Sequence, residues 1–229
     1  MYKAIMMNYL LAMGMLGHNS LSRPEMNMTT TLYYIYDPMC SWCWGYAPTW
    51  NRLQKELATH VDIVYGIGGL AKDSNTIMSA EMQTILQQTW KKIAQQLGTQ
   101  FNFDFWQQCQ PRRSTYPACR ATLAARAFNK EQAMLAAIQQ AYYLQAKNPS
   151  DIETLQTLAI EIGLNDHDFL EQLTSQQLNN SLQAEIKIMR ALPINGFPAL
   201  VLLKNQTYHA ITIDYKDWRK TYDLIMAKI

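Results

Sequence analysis

Thr31–Tyr36 is a run of β-branched and aromatic residues around Leu32, with no polar alternation beyond threonine and tyrosine hydroxyls. That pattern predicts a strand covered on both faces, and Pro38 ends it. After Cys43 the apolar positions Tyr46, Trp50, Leu53 and Leu57 are spaced by four, three and four residues, one stripe of an amphipathic helix. Pro48 lies near enough to the start of this helix to be tolerated while bending its first turns. Residues 61–67 return to β-branched content and close on Gly68 and Gly69, which read as a turn. The three segments make a βαβ unit. Its crossover is expected to be right-handed and its strands parallel, which puts the end of the first at the carboxyl edge of the sheet, where ligands usually bind.

From about Ser74 to Ala191 the pattern is helical throughout. Met78, Met82, Ile85, Trp90, Ile93 and Leu97 keep one face, and an alanine-rich helix runs from Pro117 to Phe128. Met134, Leu135, Ile138 and Tyr142 continue the bundle. Ile152, Leu155, Ala159 and Ile162 follow, opened by the capping box Ser150-Asp151-Ile152-Glu153 and stopped at Gly163. Leu178, Leu182, Ile186 and Met189 make the last stripe before Pro193. Residues 199–203 and 208–213 then flank the polar turn Lys204-Asn205-Gln206 as two strands. Asp214 is expected to cap a closing helix, with Tyr215, Trp218, Tyr222 and Ile225 on its buried face and Asp217 at the third helical position. The fold class is therefore α/β with a large helical insertion. Residues 30–73 and 192–229 form one domain, residues 74–191 the inserted helical domain, and residues 1–29 an N-terminal extension.

Composition narrows the function classes. A chain of 229 residues with a formal net charge of +2 and 17% charged residues offers no electrostatic reason to bind nucleic acid or acidic lipid. Four cysteines are too few for a disulfide-stapled secreted scaffold. Residues 4–16 are apolar and Met-rich behind Lys3, but Asn8 interrupts them and they are too short to span a bilayer. A secretory signal calls for a stronger basic start and a small-residue cleavage site. An upstream start assigned ahead of Met26 or Met28 accounts for the segment and makes the protein cytoplasmic; a signal in residues 1–29 would make it periplasmic.

The chemistry concentrates at Cys40 and Cys43, where the β-rich run gives way to the helical one. Two thiols so spaced at a helix start can close a small disulfide ring, while the first points its sulfur at unpaired N–H groups that favour the attacking thiolate. The same spacing also occurs in half of a zinc site and between two packed small residues. Zinc needs a second ligand pair, whereas Cys109 and Cys119 are ten positions apart and His18, His60, His167 and His209 lie scattered. The strand-to-helix setting favours dithiol redox chemistry. Asp37, before Pro38, reads as a turn-forming residue. Cys109 and Cys119 invite a second pair, though packing is the plainer reading of Cys119, and Arg112, Arg113 and Arg120 read as a solvated face.

Three segments, Tyr36-Asp37-Pro38-Met39-Cys40-Ser41-Trp42-Cys43-Trp44-Gly45, Tyr116-Pro117-Ala118-Cys119-Arg120-Ala121 and Gly196-Phe197-Pro198-Ala199-Leu200, resemble the FrnE-type branch of the DsbA-like oxidoreductases in order and character. The resemblance covers about residues 30–229 and implies a thioredoxin-like fold with the helical domain inserted between its halves. It implies that Cys40 attacks and Cys43 resolves, and that Pro198 carries a cis peptide bond facing them. Phe197 then offers backbone groups to an extended substrate, and Trp42, placed in the loop, contacts it. Many members of that family place a buried carboxylate on the first strand. Here Tyr34 stands six residues before Cys40, and Asp37 alone is acidic nearby, so by this resemblance Asp37 is the candidate proton relay for the resolving thiol as well as a turn residue.

The leading function is exchange of disulfides with protein or peptide substrates, as an oxidoreductase or isomerase. No cofactor is expected; a small thiol such as glutathione or a redox protein is the partner. Kappa glutathione transferases and hydroxychromene carboxylate isomerases resemble this architecture but typically carry serine at the reactive position, so Cys40 and Cys43 argue against them. A binding module for unfolded chains, gripping them with Trp42, Trp44, Tyr46 and Phe197, is the third reading.

Overall fold

The computed structural model describes residues 30–229, so the readings of residues 1–29 lie outside the described residues. Strand β1 (Thr31–Tyr36) leads into helix α1 (Ser41–Leu57) and strand β2 (Asp62–Ile67). Seven helices follow: α2 (Ala80–Leu97), α3 (Phe105–Gln108), α4 (Tyr116–Arg126), α5 (Glu131–Leu144), α6 (Ile152–Glu161), α7 (Asp166–Thr174) and α8 (Gln176–Arg190). Strands β3 (Ala199–Lys204) and β4 (Thr207–Ile211) and helix α9 (Trp218–Met226) complete the chain. The four-stranded sheet has the order β2-β1-β3-β4, with β1 and β2 parallel and the other neighbours antiparallel. The β3–β4 turn places Asn205 and Gln206 at φ 48° and 64°, the left-handed pair a two-residue hairpin turn uses.

Strand β1 is covered on both faces, as its unbroken apolar run predicts. Successive side chains alternate across the sheet. Leu32, Tyr34 and Tyr36 enter the large core with the stripe Tyr46, Trp50, Leu53 and Leu57 of α1, while Tyr33 and Ile35 meet Met189, Leu192 and Val201 on the other face. Tyr34 stacks on Trp50 with centroids 4.3 Å apart.

The segment after β2 is not helical throughout. Helix α2 starts only at Ala80, with Ser79 Oγ accepting from Met82 N. Turn-forming Asp73, Ser74, Asn75 and Thr76 keep the preceding stretch extended, and its backbone bonds go to the α3–α4 loop: Thr115 N and Tyr116 N both donate to Ala71 O. Ile85 and Ile152, expected on buried faces, are 46% and 43% exposed. The capping box before α6 does not form. Ser150 Oγ donates instead to Ser114 O, Asp151 becomes the cap residue and its carboxylate pairs with Arg112. At the C-terminal end Asp217, not Asp214, caps α9, accepting from Arg219 N; Asp214 folds the preceding turn by accepting from Lys216 N and Asp217 N. Arg120 and Arg112 are not a solvated face, because each is mostly covered and ion-paired, to Asp73 and Asp151.

The helical block is tied to the sheet by one ionic cluster. Arg126 on α4 pairs with Glu131 on α5 and Glu185 on α8; Tyr36 Oη donates to Glu131 Oε1 at 2.9 Å and Ile67 N to Glu185 Oε1 at 2.8 Å. The ends of β1 and β2 are thereby held to three helices at once.

Candidate active site

Cys40 is the residue immediately before α1. Its backbone is extended (φ −79°, ψ 116°) and its carbonyl accepts Trp44 N, so its side chain stands at the open N-terminal end of a helix with no acid in the first turn. Such an end favours negative charge. Cys40 is 6% exposed, and Cys43, one turn further in, is fully buried. The Cys40 thiol donates to the carbonyl of Phe197 at 3.4 Å, and the Phe197–Pro198 peptide bond is cis. Burial pushes the Cys43 thiol well above its ordinary range, and its hydrogen bond to the Cys40 sulfur pushes it further. All four cysteines are free thiols.

Asp37 has no exposed surface and is more than a turn residue. Oδ1 accepts from Met39 N at 2.8 Å, the expected turn; Oδ2 accepts from Leu70 N at 2.6 Å, Thr115 Oγ1 at 2.7 Å and the Cys119 thiol at 3.5 Å. Burial raises its pKa, opposed by those donors, Thr115 foremost. One carboxylate thus joins the loop before Cys40, the loop after β2 and the start of α4. Tyr143 on α5 adds a second link, donating to Met39 O at 2.8 Å.

The aromatic residues divide. Trp44 stacks on Tyr143 (5.6 Å, 11°) and Tyr46 is fully buried, so both pack. Trp42 lies within α1 rather than in a loop, because the helix begins at Ser41, and its half-buried ring meets Tyr215 edge-on at 5.2 Å. Tyr215 lines two grooves. One, of about 400 Å³, runs along Phe197, Pro198 and Ile213. The other, of about 440 Å³, runs along Trp44, Pro48 and Leu97. Cys109 and Cys119 do not turn toward each other: Cys109 Sγ donates to Ala146 O at 3.0 Å, whereas Cys119 faces Asp37. Among the described residues, no group of three or more His, Cys, Asp and Glu is placed to hold a metal ion.

Sequence reasoning missed Leu70, Thr115 and Cys119 as partners of Asp37, and Gly68 and Tyr215 as neighbours of the site. In the sequence Gly68 reads as a turn and no more, whereas in the fold it receives the Phe197 ring. The one available signal was the Tyr-Pro-Ala-Cys segment, whose place beside the dithiol loop only the fold reveals.

Residues 33–222 match the family described as Thioredoxin. The chain belongs to the thioredoxin family. Within it the fold is DsbA-like, the helical block lying between β2 and β3. A solved structure of a candidate protein disulfide isomerase from Nitrosomonas europaea is similar at 27% identity and TM-score 0.76, covering 87% of this chain and 97% of that one. The cytosolic disulfide reductase DsbM from Pseudomonas aeruginosa, solved with GSH, is similar at 25% identity and TM-score 0.68, covering 86% and 99%. Among curated proteins, the ClpXP adapter protein SpxH of Bacillus subtilis (strain 168) is 27% identical over 179 residues, 76% of this chain and 58% of the relative. The chain thus matches little more than half the length of that curated relative. No helix of the described residues is long and apolar enough to cross a membrane.

The buried thiols are expected to make the reduced fold alkali-sensitive. Cys43 and Cys119 keep their protons in the folded state above the 9.0 at which unfolded thiols lose theirs. Unfolding then releases protons, so the stability they contribute is fully present below that pH and falls as pH rises beyond it. The melting temperature of the reduced protein is expected to drop from about pH 9 upward, and Cys119→Ala to lessen the slope. A flat profile in thermal melts would contradict this.

Proposed function

We propose that this chain is a thiol–disulfide oxidoreductase working through the Cys40-Ser41-Trp42-Cys43 dithiol on protein or peptide disulfides. The observation that carries the reading is the placement of the Cys40 sulfur at the head of α1, against the Phe197 carbonyl, with Cys43 buried one turn behind. The structural neighbours, one named as a protein disulfide isomerase and one as a disulfide reductase, support it.

In the reducing direction the Cys40 thiolate attacks one sulfur of a substrate disulfide, forming a mixed disulfide and expelling the other sulfur as a thiolate. Cys43 then loses its proton and attacks the Cys40 sulfur. The substrate leaves with both thiols reduced, and the enzyme keeps a Cys40–Cys43 disulfide. Two thiols of an external reductant, of the glutathione type or on a protein, restore the dithiol; in an oxidising compartment the same steps run backwards. DsbM, named as cytosolic and solved with GSH, supports reduction with a small thiol as partner. Phe197 and Pro198 present the backbone against which an extended substrate pairs, and Trp42 lies at the rim. Residues 30–73 and 192–229 supply this chemistry, and the helical block 74–191 shields it from behind.

Asp37 takes the Cys43 proton in this scheme. The carboxyl is buried, its pKa is raised, and Oδ1 holds a single donor, Met39 N, among the bonds described, which leaves a lone pair for a proton. Asp37→Asn is expected to slow resolution of the mixed disulfide on the order of tenfold or more while leaving its formation within about twofold. Stopped-flow trapping separates the two steps; equal rates in both proteins would remove the relay.

The primary test is thiol trapping of Cys40 and Cys43 in glutathione buffers beside a Cys40→Ser control assayed on a protein disulfide. A reversible couple, with activity lost in the control, supports the reading. A pair that never closes, or activity indifferent to Cys40, overturns it. The adapter named among the relatives supports a second reading as a binding module. Partner binding that survives Cys40→Ser with Cys43→Ser would favour it.

A further inference from the structure

We infer that Gly68 is a positioning residue for the substrate-pairing backbone: the bare glycine is the seat of the Phe197 ring, and Arg190 holds that seat in place. The inference rests on the dithiol reading above and adds a residue to it that touches neither sulfur.

Gly68 follows β2 directly, and its N–H donates to Tyr36 O at 2.7 Å. An ideal Cβ built on it would lie 2.0 Å from Phe197 Cε1 and 2.2 Å from Cζ, well inside any contact carbon atoms tolerate. No side chain fits there unless the ring moves. The half-buried ring already packs against both hydrophobic clusters, one on each face of the sheet, so a side chain at position 68 would displace it from contacts it makes now. Its carbonyl is the group that accepts the Cys40 thiol at 3.4 Å, so ring, backbone and attacking sulfur form one connected stack.

The glycine turn is fixed from the other side by the helical block. Arg190, the last residue of α8, donates from Nε to Gly68 O at 2.9 Å and from its terminal nitrogen to Gly69 O. Leu70 N, two residues on, is held by Asp37. The turn therefore cannot retreat from the ring without breaking bonds to α8 or to Asp37. Phe197 keeps its backbone in register with substrate because Gly68 is small and its turn is hydrogen-bonded to Arg190 and Tyr36.

The discriminating pair of substrates is a disulfide-bonded peptide, which pairs along the backbone of Phe197, and a small aromatic disulfide such as 5,5′-dithiobis(2-nitrobenzoate), which cannot. Gly68→Ala is expected to lower kcat/KM for the peptide about tenfold while leaving the small disulfide within about twofold. Phe197→Ala empties the seat, so adding Gly68→Ala to it should have no further effect. Arg190→Gln adds no atoms to the turn, and should show the same selective loss about threefold if Gly68→Ala does not fold. Equal loss on both substrates, or a Gly68→Ala effect that persists beside Phe197→Ala, would overturn the inference. Wild-type protein inert toward both substrates would instead sink the oxidoreductase reading itself.

Discussion

Cys43→Ser is expected to stop turnover and leave the enzyme joined to its substrate through Cys40, with the rate falling on the order of a thousandfold or more. The first attack needs only Cys40, which keeps its helix end and its Phe197 contact. The second needs a nucleophile at position 43, and a serine hydroxyl at neutral pH is none. Serine suits the site sterically, and the backbone hydrogen bond from Asp37 that the Cys43 sulfur receives remains available to an oxygen. The fold should survive, so loss of turnover reports chemistry. Mass spectrometry under non-reducing conditions would show one substrate thiol per chain, released by dithiothreitol. Steady turnover without that adduct would mean that Cys43 does not resolve it.

Arg126→Met should destabilise the fold by about 3–5 kcal/mol, the range for removing one partner from a buried ion pair. The guanidinium is 14% exposed and serves two carboxylates, of which Glu185 is 1% exposed and Glu131 15%. Without it two negative charges face each other in a largely buried site, and burial already raises the pKa of Glu131. Protonation relieves the repulsion, so the deficit should shrink as pH falls toward the carboxylate range and be full at neutral pH. Converting Glu131 and Glu185 to glutamine in the same background should recover much of the loss, since neutral amides still bond to Tyr36 and Ile67 N. Urea unfolding of the three proteins decides it; a loss below 1 kcal/mol for Arg126→Met would show that water reaches the cluster.

The elements that carried a strong period were legible from the chain alone. β1, the α1 stripe, β2 and the closing hairpin follow from apolar spacing and turn residues, because each answers to neighbours a few positions away. What failed had been claimed by a distant contact. Ser150 had the chemistry of a cap, but Ser114, 36 residues away, took its hydroxyl. Asp214 and Asp217 offered two caps in one short segment, and the helix began after the second. Ile85 and Ile152 kept helical spacing yet face outward, since periodicity says which residues share a face and not whether anything covers it.

The candidate site splits the same way. Cys40 and Cys43 are legible as a local motif and Phe197 and Pro198 through the family resemblance, and the fold brings Cys40 and Phe197 together. The surroundings were hidden. Asp37 reaches Leu70, Thr115 and Cys119 across 33, 78 and 82 residues, separations over which a single sequence carries no pairing signal. Gly68 could be read as a turn and no further, because what makes it necessary is a ring 129 positions later.

The contact between Cys40 and Phe197 joins residues 157 positions apart, which orders events during synthesis. At ribosomal speeds of roughly 5–20 residues per second, a chain that has made both thiols waits about 8–30 s before the carbonyl that covers the first of them exists. Through that interval Cys40 and Cys43 belong to an unfinished polypeptide, exposed to whatever oxidants and thiols surround the ribosome. The dithiol meets its redox environment as a nascent peptide before it does so as a folded protein, and the Phe197 segment arrives as the part that ends the first condition and begins the second.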